Sequence, residues 1–190
     1  MQPLLSPERP HTPPRRTPMV LQAERRQVLR ADRTLSSVQL ARLGLETGGL
    51  ATLTLSINPL ANSTPQHDVT FCAFSAVTLR REVRELPHLC GLAAVRQILE
   101  LGPESWQLGA VGASVRPDAV ATIGGAAWAV EFDAGYSRGV IERKMRAFTS
   151  SGVYAGTVWA TTSPLRAQRL QARYPAARVL CVDYWSIHQT

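Results

Sequence analysis

Three acidic residues and one lysine in the second half of the chain have the types and spacing of a hydrolytic site. Asp118 follows Pro117 early in a predicted strand, and Glu131 and Asp133 end the next predicted strand. Because alternate residues of a strand point to the same face, Glu131 and Asp133 are expected to project together. A Gly-Gly turn at 124–125 joins the two strands as a hairpin, which brings Asp118 to the same edge of the sheet.

Carboxylates this close together repel one another, so they need a cation or a basic partner. Their oxygens suit Mg²⁺ or Mn²⁺, and we predict Asp118 and Glu131 as metal ligands with Asp133 as an assisting acid. Lys144, the only lysine of the chain, falls at the border of the inward face of a helix over 138–148. Its ammonium would orient the attacking water in phosphodiester hydrolysis. A structural ion-pair cluster of the same residues is the alternative.

The elements that carry these residues alternate between strand and helix. Apolar residues at helical spacing predict helices over 89–99, 138–148 and 163–174, and apolar or alternating runs predict strands between them. The order is αβββαβαβ, which indicates an α/β domain with a mixed sheet and helices on both faces. The predicted strands cover residues 106–111, 117–123, 127–133, 153–161 and 178–183.

The first 86 residues predict a smaller and simpler unit. Two helices over 20–45, the second capped by Ser36 or Ser37, are followed by strands over 50–57 and 69–74 that form a hairpin. That order is typical of a winged helix-turn-helix whose recognition helix is short or missing.

The chain is therefore divided into three parts. Residues 1–19, rich in proline and arginine, are expected to form a disordered basic arm. Residues 20–86 form the winged-helix-like region, and residues 87–190 form the α/β domain.

The charge of the chain favours nucleic acid as a partner. The 190 residues carry a formal net charge of +7, and 20 of the 21 basic residues are arginine. A GC-rich genome would give this composition whatever the function, but arginine also makes bidentate contacts with phosphate. A charged helix before residue 87 carries three arginines, and a fourth precedes Pro117. The predicted nucleic-acid contacts are Arg80, Arg81, Arg84 and Arg116.

The remaining features indicate a cytoplasmic protein. No apolar run reaches the ~18 residues of a membrane span, and the N-terminus lacks the layout of a signal peptide. Cys72, Cys90 and Cys181 lie far apart, which indicates free thiols in a reducing compartment and makes a thiolate zinc site unlikely on spacing. The four histidines show no metal-ligand spacing, and His88 is interpreted as a helix cap or structural hydrogen-bond donor.

The segment from about 87 to 185 resembles the PD-(D/E)XK nuclease fold. The resemblance rests on Arg-Pro-Asp at 116–118, a strand ending in Glu-Phe-Asp at 131–133, and a following helix that bears Lys144. More narrowly, it is similar to the replication-relaxation family of plasmid and mobile-element proteins. The resemblance implies a restriction-endonuclease-like αβββαβ core and DNA as the partner. It also implies replication or transfer proteins as further partners, and endodeoxyribonuclease activity dependent on Mg²⁺ or Mn²⁺.

The chain departs from the family pattern at one position. The lysine expected two residues after Glu131 is replaced by Asp133, so Lys144 on the next helix would take its role. Glu100 is the nearest candidate for the acidic residue that the first core helix often supplies. Three functions follow: a metal-dependent endonuclease, a non-catalytic DNA-binding or assembly module with the same fold, and a protein-binding partner without DNA contact.

Overall fold

The computed structural model describes residues 16–60, 65–81, 83–109 and 116–187. Most of the predicted arm and the end of the strand predicted over 106–111 lie outside these ranges. The first half of the described chain forms three helices and a small sheet. Their bounds are α1 Pro18–Asp32, β1 Leu35–Ser36, α2 Ser37–Arg42, β2 Ala51–Ile57, β3 His67–Ala73 and α3 Ala76–Arg81.

Local sequence signals explain most of this N-terminal unit. Ser36 caps α2 in a reciprocal capping box, in which its hydroxyl accepts from the Gln39 N–H and the Gln39 side chain accepts from the Ser36 N–H. The predicted hairpin is confirmed, because β2 and β3 pair antiparallel with Leu53 opposite Phe71. The two-residue strand β1 pairs with the other edge of β3, so the sheet has the order β1-β3-β2. A strand this short gives no periodic signal in the sequence.

The second half forms a five-stranded mixed sheet with helices on both faces, as predicted. The strand order is β4-β5-β6-β7-β8, antiparallel from β4 to β6 and parallel from β6 to β8. The element order αβββαβαβ is confirmed. The bounds are α4 Leu86–Ile98, β4 Trp106–Leu108, β5 Ala119–Ile123, β6 Ala126–Asp133, α5 Arg138–Ser150, β7 Gly156–Thr161, α6 Pro164–Arg173 and β8 Arg178–Cys181, with a 3-10 turn at Pro103–Ser105.

Strand β6 divides its side chains between the two faces of this sheet. Val130 and Phe132 lie in the same hydrophobic cluster as the buried residues of α4, whereas Ala129 lies in a cluster with Ile141 and Phe148 of α5. Since side chains alternate along a strand, Glu131 and Asp133 lie on the α5 and α6 side. The sheet therefore presents its two β6 acids to the helices that follow them in the chain.

The middle of helix α4 is buried around its whole circumference, although its sequence predicts a helix with one buried side. The helix packs against β6 and β7 of the five-stranded sheet and against β1 and α1, and its buried residues share one core cluster with Val69 and Phe71 of the small sheet. Every residue from Leu89 to Arg96 is buried. Residues 20–86 and 87–187 thus share one continuous core, so the predicted boundary at 86 does not coincide with a gap in the packing.

Buried polar contacts also join the two halves. Arg96 of α4 forms a two-pronged ion pair with Asp32, at 2.8 and 2.6 Å, and both side chains are buried. The Gln39 amide of α2 donates to the Cys90 carbonyl at 2.9 Å, and the Ser36 hydroxyl donates to the Tyr184 carbonyl. These polar groups of α2 are therefore used inside the molecule. Among the described residues, no helix is long and apolar enough to cross a membrane.

We expect Gly91→Ala to destabilise the fold. A Cβ at this position would lie 2.4 Å from two carbon atoms of the buried Phe132 ring. Overpacking of this kind costs about 1–3 kcal/mol, against the ~1 kcal/mol that alanine gains over glycine in a helix. Chemical denaturation should therefore show a net loss of up to about 2 kcal/mol in the free energy of unfolding.

Gly139→Ala is the matched control for this substitution. Gly139 is also helical, but an added Cβ there meets nothing within 4 Å. The same change should leave the free energy of unfolding unaltered or raise it by up to about 1 kcal/mol. Equal effects at the two glycines would contradict the close contact between α4 and β6.

Candidate functional site

The hairpin register brings Asp118 and Glu131 together. Ala119 lies opposite Val130 in the antiparallel β5–β6 pair, so Asp118, one residue earlier, lies opposite Glu131, one residue later. Both side chains are at most 1% exposed. The Asp118 carboxylate accepts a hydrogen bond from the Phe132 N–H at 3.0 Å, which holds it against the neighbouring strand.

Lys144 reaches this pair of acids from helix α5. Its neighbours on the helix, Ile141 and Phe148, are buried against the sheet, and that orientation carries the lysine side chain inward. The ammonium lies 2.8 Å from both carboxylate oxygens of Glu131 and 3.8 Å from Asp118 Oδ1. It also donates to the Arg116 carbonyl at 3.4 Å. The structure thus places Asp118, Glu131 and Lys144 in one buried cluster, which we call the acid–lysine cluster.

Asp133 has a different set of partners. The guanidinium of Arg166 on α6 donates three hydrogen bonds of 2.8–3.0 Å to its carboxylate, and the Trp159 indole donates to it at 3.2 Å. The N–H groups of Gly135 and Tyr136 donate to its Oδ1 at 2.8 and 2.6 Å. Asp133 therefore fixes the turn after β6 and the start of α6, and its oxygens are already occupied.

His88 approaches Asp118 from helix α4. Its Nε2 lies 3.2 Å from Asp118 Oδ2, without the geometry of a hydrogen bond. The imidazole also packs edge-on against Phe132, with 5.4 Å between the ring centroids. Glu100 is exposed beyond the other end of α4, about 18 Å away along a helix that rises 1.5 Å per residue. It does not join the cluster.

The pKa values of the two acids of the cluster are shifted in opposite directions. Burial pushes the pKa of Asp118 upward, but His88, the Phe132 N–H and Lys144 outweigh burial and hold this pKa below its usual value. Burial first and the charge of Asp118 second raise the pKa of Glu131, against the opposing effect of Lys144. Asp118 is therefore the preferred anion of the two, and Lys144 favours the charged form of Glu131 against the larger opposing effects of burial and Asp118.

The carboxylates predicted as metal ligands face other groups in this structure. The two oxygens of Glu131 face the ammonium, and Asp118 Oδ2 faces the Phe132 N–H and His88. A divalent ion such as Mg²⁺ needs six ligands in near-ideal geometry, including several waters, and the nearby carboxylate Asp133 is already occupied. Within the described residues, no group of three or more His, Cys, Asp or Glu side chains could hold a metal ion. The ammonium of Lys144 is the cation that faces Asp118 and Glu131 here, and metal binding by these two acids stays a prediction.

The predicted nucleic-acid contacts lie on the surface. Arg80 and Arg84 are exposed around the end of α3 and the turn that follows, and Arg116 is exposed next to the acid–lysine cluster. The side chain of Arg81 lies outside the described residues, as does most of the predicted arm. Whether these arginines contact nucleic acid stays a prediction.

Sequence reasoning missed two members of the neighbourhood. Arg166 was not predicted because it lies 33 residues after Asp133 and no local pattern links them. His88 was interpreted as structural, and its place beside Asp118 could have been suspected only from its position at the start of α4. In comparisons with known proteins, no family model, no curated protein and no solved structure matches this chain. The resemblance to the replication-relaxation family therefore stays a prediction.

Proposed function

We propose that the chain is a DNA-binding protein whose nuclease-like domain holds DNA without cutting it. The finer assignment of residues 87–187 to the PD-(D/E)XK fold is part of this proposal. It is supported by the αβββαβαβ order and by an aspartate, a glutamate and a lysine that lie together on one face of the sheet. The role in plasmid or mobile-element replication or transfer rests on the family resemblance of the sequence.

One observation carries the non-catalytic part of the proposal. The Lys144 ammonium is hydrogen-bonded to both oxygens of Glu131, and the side chains of Asp118, Glu131 and Lys144 are at most 5% exposed. A buried carboxylate paired in this way is a structural ion pair, because breaking it would leave an uncompensated buried charge. This favours the module over the endonuclease, whose metal would require the same oxygens.

The test is a nicking assay on supercoiled plasmid, with Mg²⁺ or Mn²⁺ and a fluorescence anisotropy measurement of DNA binding alongside. We expect the parent protein to bind DNA and to leave the plasmid intact with either metal. Its thermal unfolding midpoint should be the same with and without Mn²⁺, since a bound ion would raise the midpoint by mass action.

Glu131→Ala separates the alternatives. Cleavage by the parent that is lost in this variant, with DNA binding retained, would overturn the proposal and make the chain a divalent-metal endonuclease. Cleavage that persists in the variant does not come from this site. Absence of DNA binding by the parent would instead support a protein-binding partner.

A further inference from the structure

The positive charge of the chain is concentrated in one segment. Residues 134–182 contain seven arginines and Lys144 but a single acid, Glu142, which gives this segment a formal charge of +7. The preceding 133 residues contain 13 basic and 12 acidic side chains and are close to neutral. The segment consists mainly of α5, β7, α6 and β8. The excess charge of the protein therefore belongs to the helices that cover one face of the five-stranded sheet.

Five of these arginines are exposed on α5 and α6. On α5 the arginines point away from the buried stripe of Ile141, Lys144 and Phe148. On α6 the two arginines are four residues apart and therefore lie on the same side of the helix. We call this surface the α5–α6 face, and its arginines are Arg138, Arg143, Arg146, Arg169 and Arg173.

A groove runs along this face between α5 and the turn after α6. It has a volume of about 550 Å³, and Arg146, Arg173, Thr149 and Ser150 are among its lining residues. Tyr174 also lines it, and the Tyr174 hydroxyl is buried without a hydrogen-bond partner among the described residues. Guanidinium and hydroxyl groups around one depression are the donors that phosphate oxygens accept from.

The acid of this face neutralises only part of the charge. Glu142 pairs with Arg138 at 2.9 Å and with Arg173 at 2.5 Å, so one carboxylate is shared by two guanidinium groups. Neither Arg143 nor Arg169 makes an ion pair or a side-chain hydrogen bond to another described residue. The α5–α6 face thus holds guanidinium groups that lack an internal partner, which is what an external polyanion requires.

We propose that the α5–α6 face binds the phosphate backbone of duplex DNA. This inference rests on the proposed DNA-binding function and assigns that function to a surface the sequence did not indicate. A guanidinium group can donate two parallel hydrogen bonds to one phosphate. A row of exposed arginines along two helices therefore suits contacts with the DNA backbone, without recognition of bases. Most apolar residues of α5 and α6 are buried against the sheet, and Leu165 is the one large apolar side chain that these two helices expose. The face therefore lacks the apolar stripe with which a helix enters a membrane surface.

The test measures the salt dependence of binding to a fluorescent random-sequence duplex by anisotropy. For the full chain, log affinity should fall linearly with log salt, with a slope of about 0.9 per phosphate contact. The double variant Arg143→Ala/Arg169→Ala should bind more weakly at every salt concentration, and its slope should be smaller by about 1.8. The matched control is Arg26→Ala/Arg30→Ala, which removes the same charge from exposed positions on α1 and should keep the parental slope.

The results that would contradict this inference differ from those that would contradict the proposed function. If the parent binds DNA and the Arg143→Ala/Arg169→Ala variant keeps its slope, the α5–α6 face is not the binding surface. A loss of slope in Arg80→Ala/Arg84→Ala instead would place binding at the surface predicted from the sequence. If the parent binds phosphatidylserine vesicles or polyglutamate as tightly as DNA, the partner class is wrong. If the parent binds no DNA, the proposed function itself fails.

Discussion

Lys144→Met is expected to reduce the free energy of unfolding by about 3–5 kcal/mol, the usual effect of removing one member of a buried ion pair. Methionine fills a similar volume but leaves Glu131, which is fully buried, without the ammonium that contacts both of its oxygens. Urea denaturation of the parent and the variant near neutral pH measures the difference. Arg143→Met is the control, since Arg143 is its exposed neighbour on α5 and should change stability by no more than about 0.5 kcal/mol.

The loss should depend on pH in a defined direction. A carboxyl group whose pKa is raised by folding contributes stability below its ordinary value, 4.5 for Glu131, and loses that contribution as the pH rises. Lys144 opposes the rise in the pKa of Glu131. Without Lys144, burial and the charge of Asp118 raise this pKa unopposed. The deficit of Lys144→Met should therefore be smaller near pH 4.5 than near pH 7.

A second substitution tests the pairing directly. Adding Glu131→Gln to Lys144→Met removes the buried charge that was left behind, so the double variant should be more stable than Lys144→Met alone. A deficit of less than about 1 kcal/mol in Lys144→Met, at both pH values, would show that the ammonium is not a structural partner of Glu131. That result would return the cluster to the endonuclease hypothesis.

Asp133→Asn should be similarly damaging, with an expected loss of about 3–5 kcal/mol in the free energy of unfolding. The amide lacks the charge that faces Arg166, and its NH₂ group would be turned towards donors. The turn after β6 and the start of α6 would lose their common anchor. Hydrogen exchange should therefore show earlier opening of α6 than in the parent protein.

Asp183 provides an unusually close control. It too accepts from the backbone N–H groups two and three residues ahead, at Trp185 and Ser186, and it pairs with an arginine, Arg42. Its side chain is 34% exposed, whereas that of Asp133 is fully buried. Water can solvate the groups that Asp183→Asn leaves unpaired, so its loss should be about 1 kcal/mol. Equal losses at the two positions would show that burial is not what makes Asp133 important.

Local patterns predicted the part of the site that a single turn determines. The Gly-Gly turn at 124–125 fixes the register of β5 and β6, and the register alone puts Asp118 opposite Glu131. Helical spacing from Ile141 and Phe148 was enough to turn Lys144 inward. The residues in each of these pairs are about 15 positions apart or fewer, so strand alternation and helix periodicity could predict their proximity.

The parts that were not predicted depend on contacts between distant residues. Asp133 looked like a third member of the site because it shares a face with Glu131, but its partner Arg166 arrives from a helix 33 residues later. The burial of α4 depends on β1 and α1, which contact it from the N-terminal half of the chain. The exposed side of α5 and α6 could be identified only once the buried sides of both helices were known.

The shared core also bears on how the chain is made. Ser36 is bonded to the Tyr184 carbonyl across 148 residues, and Arg42 to Asp183 across 141. During synthesis the N-terminal unit emerges first, but these partners are made more than 140 residues later. Contacts of such high sequence separation slow folding and leave apolar surface exposed in the meantime. The N-terminal half of these residues therefore stays incompletely packed until the C-terminal half has been made.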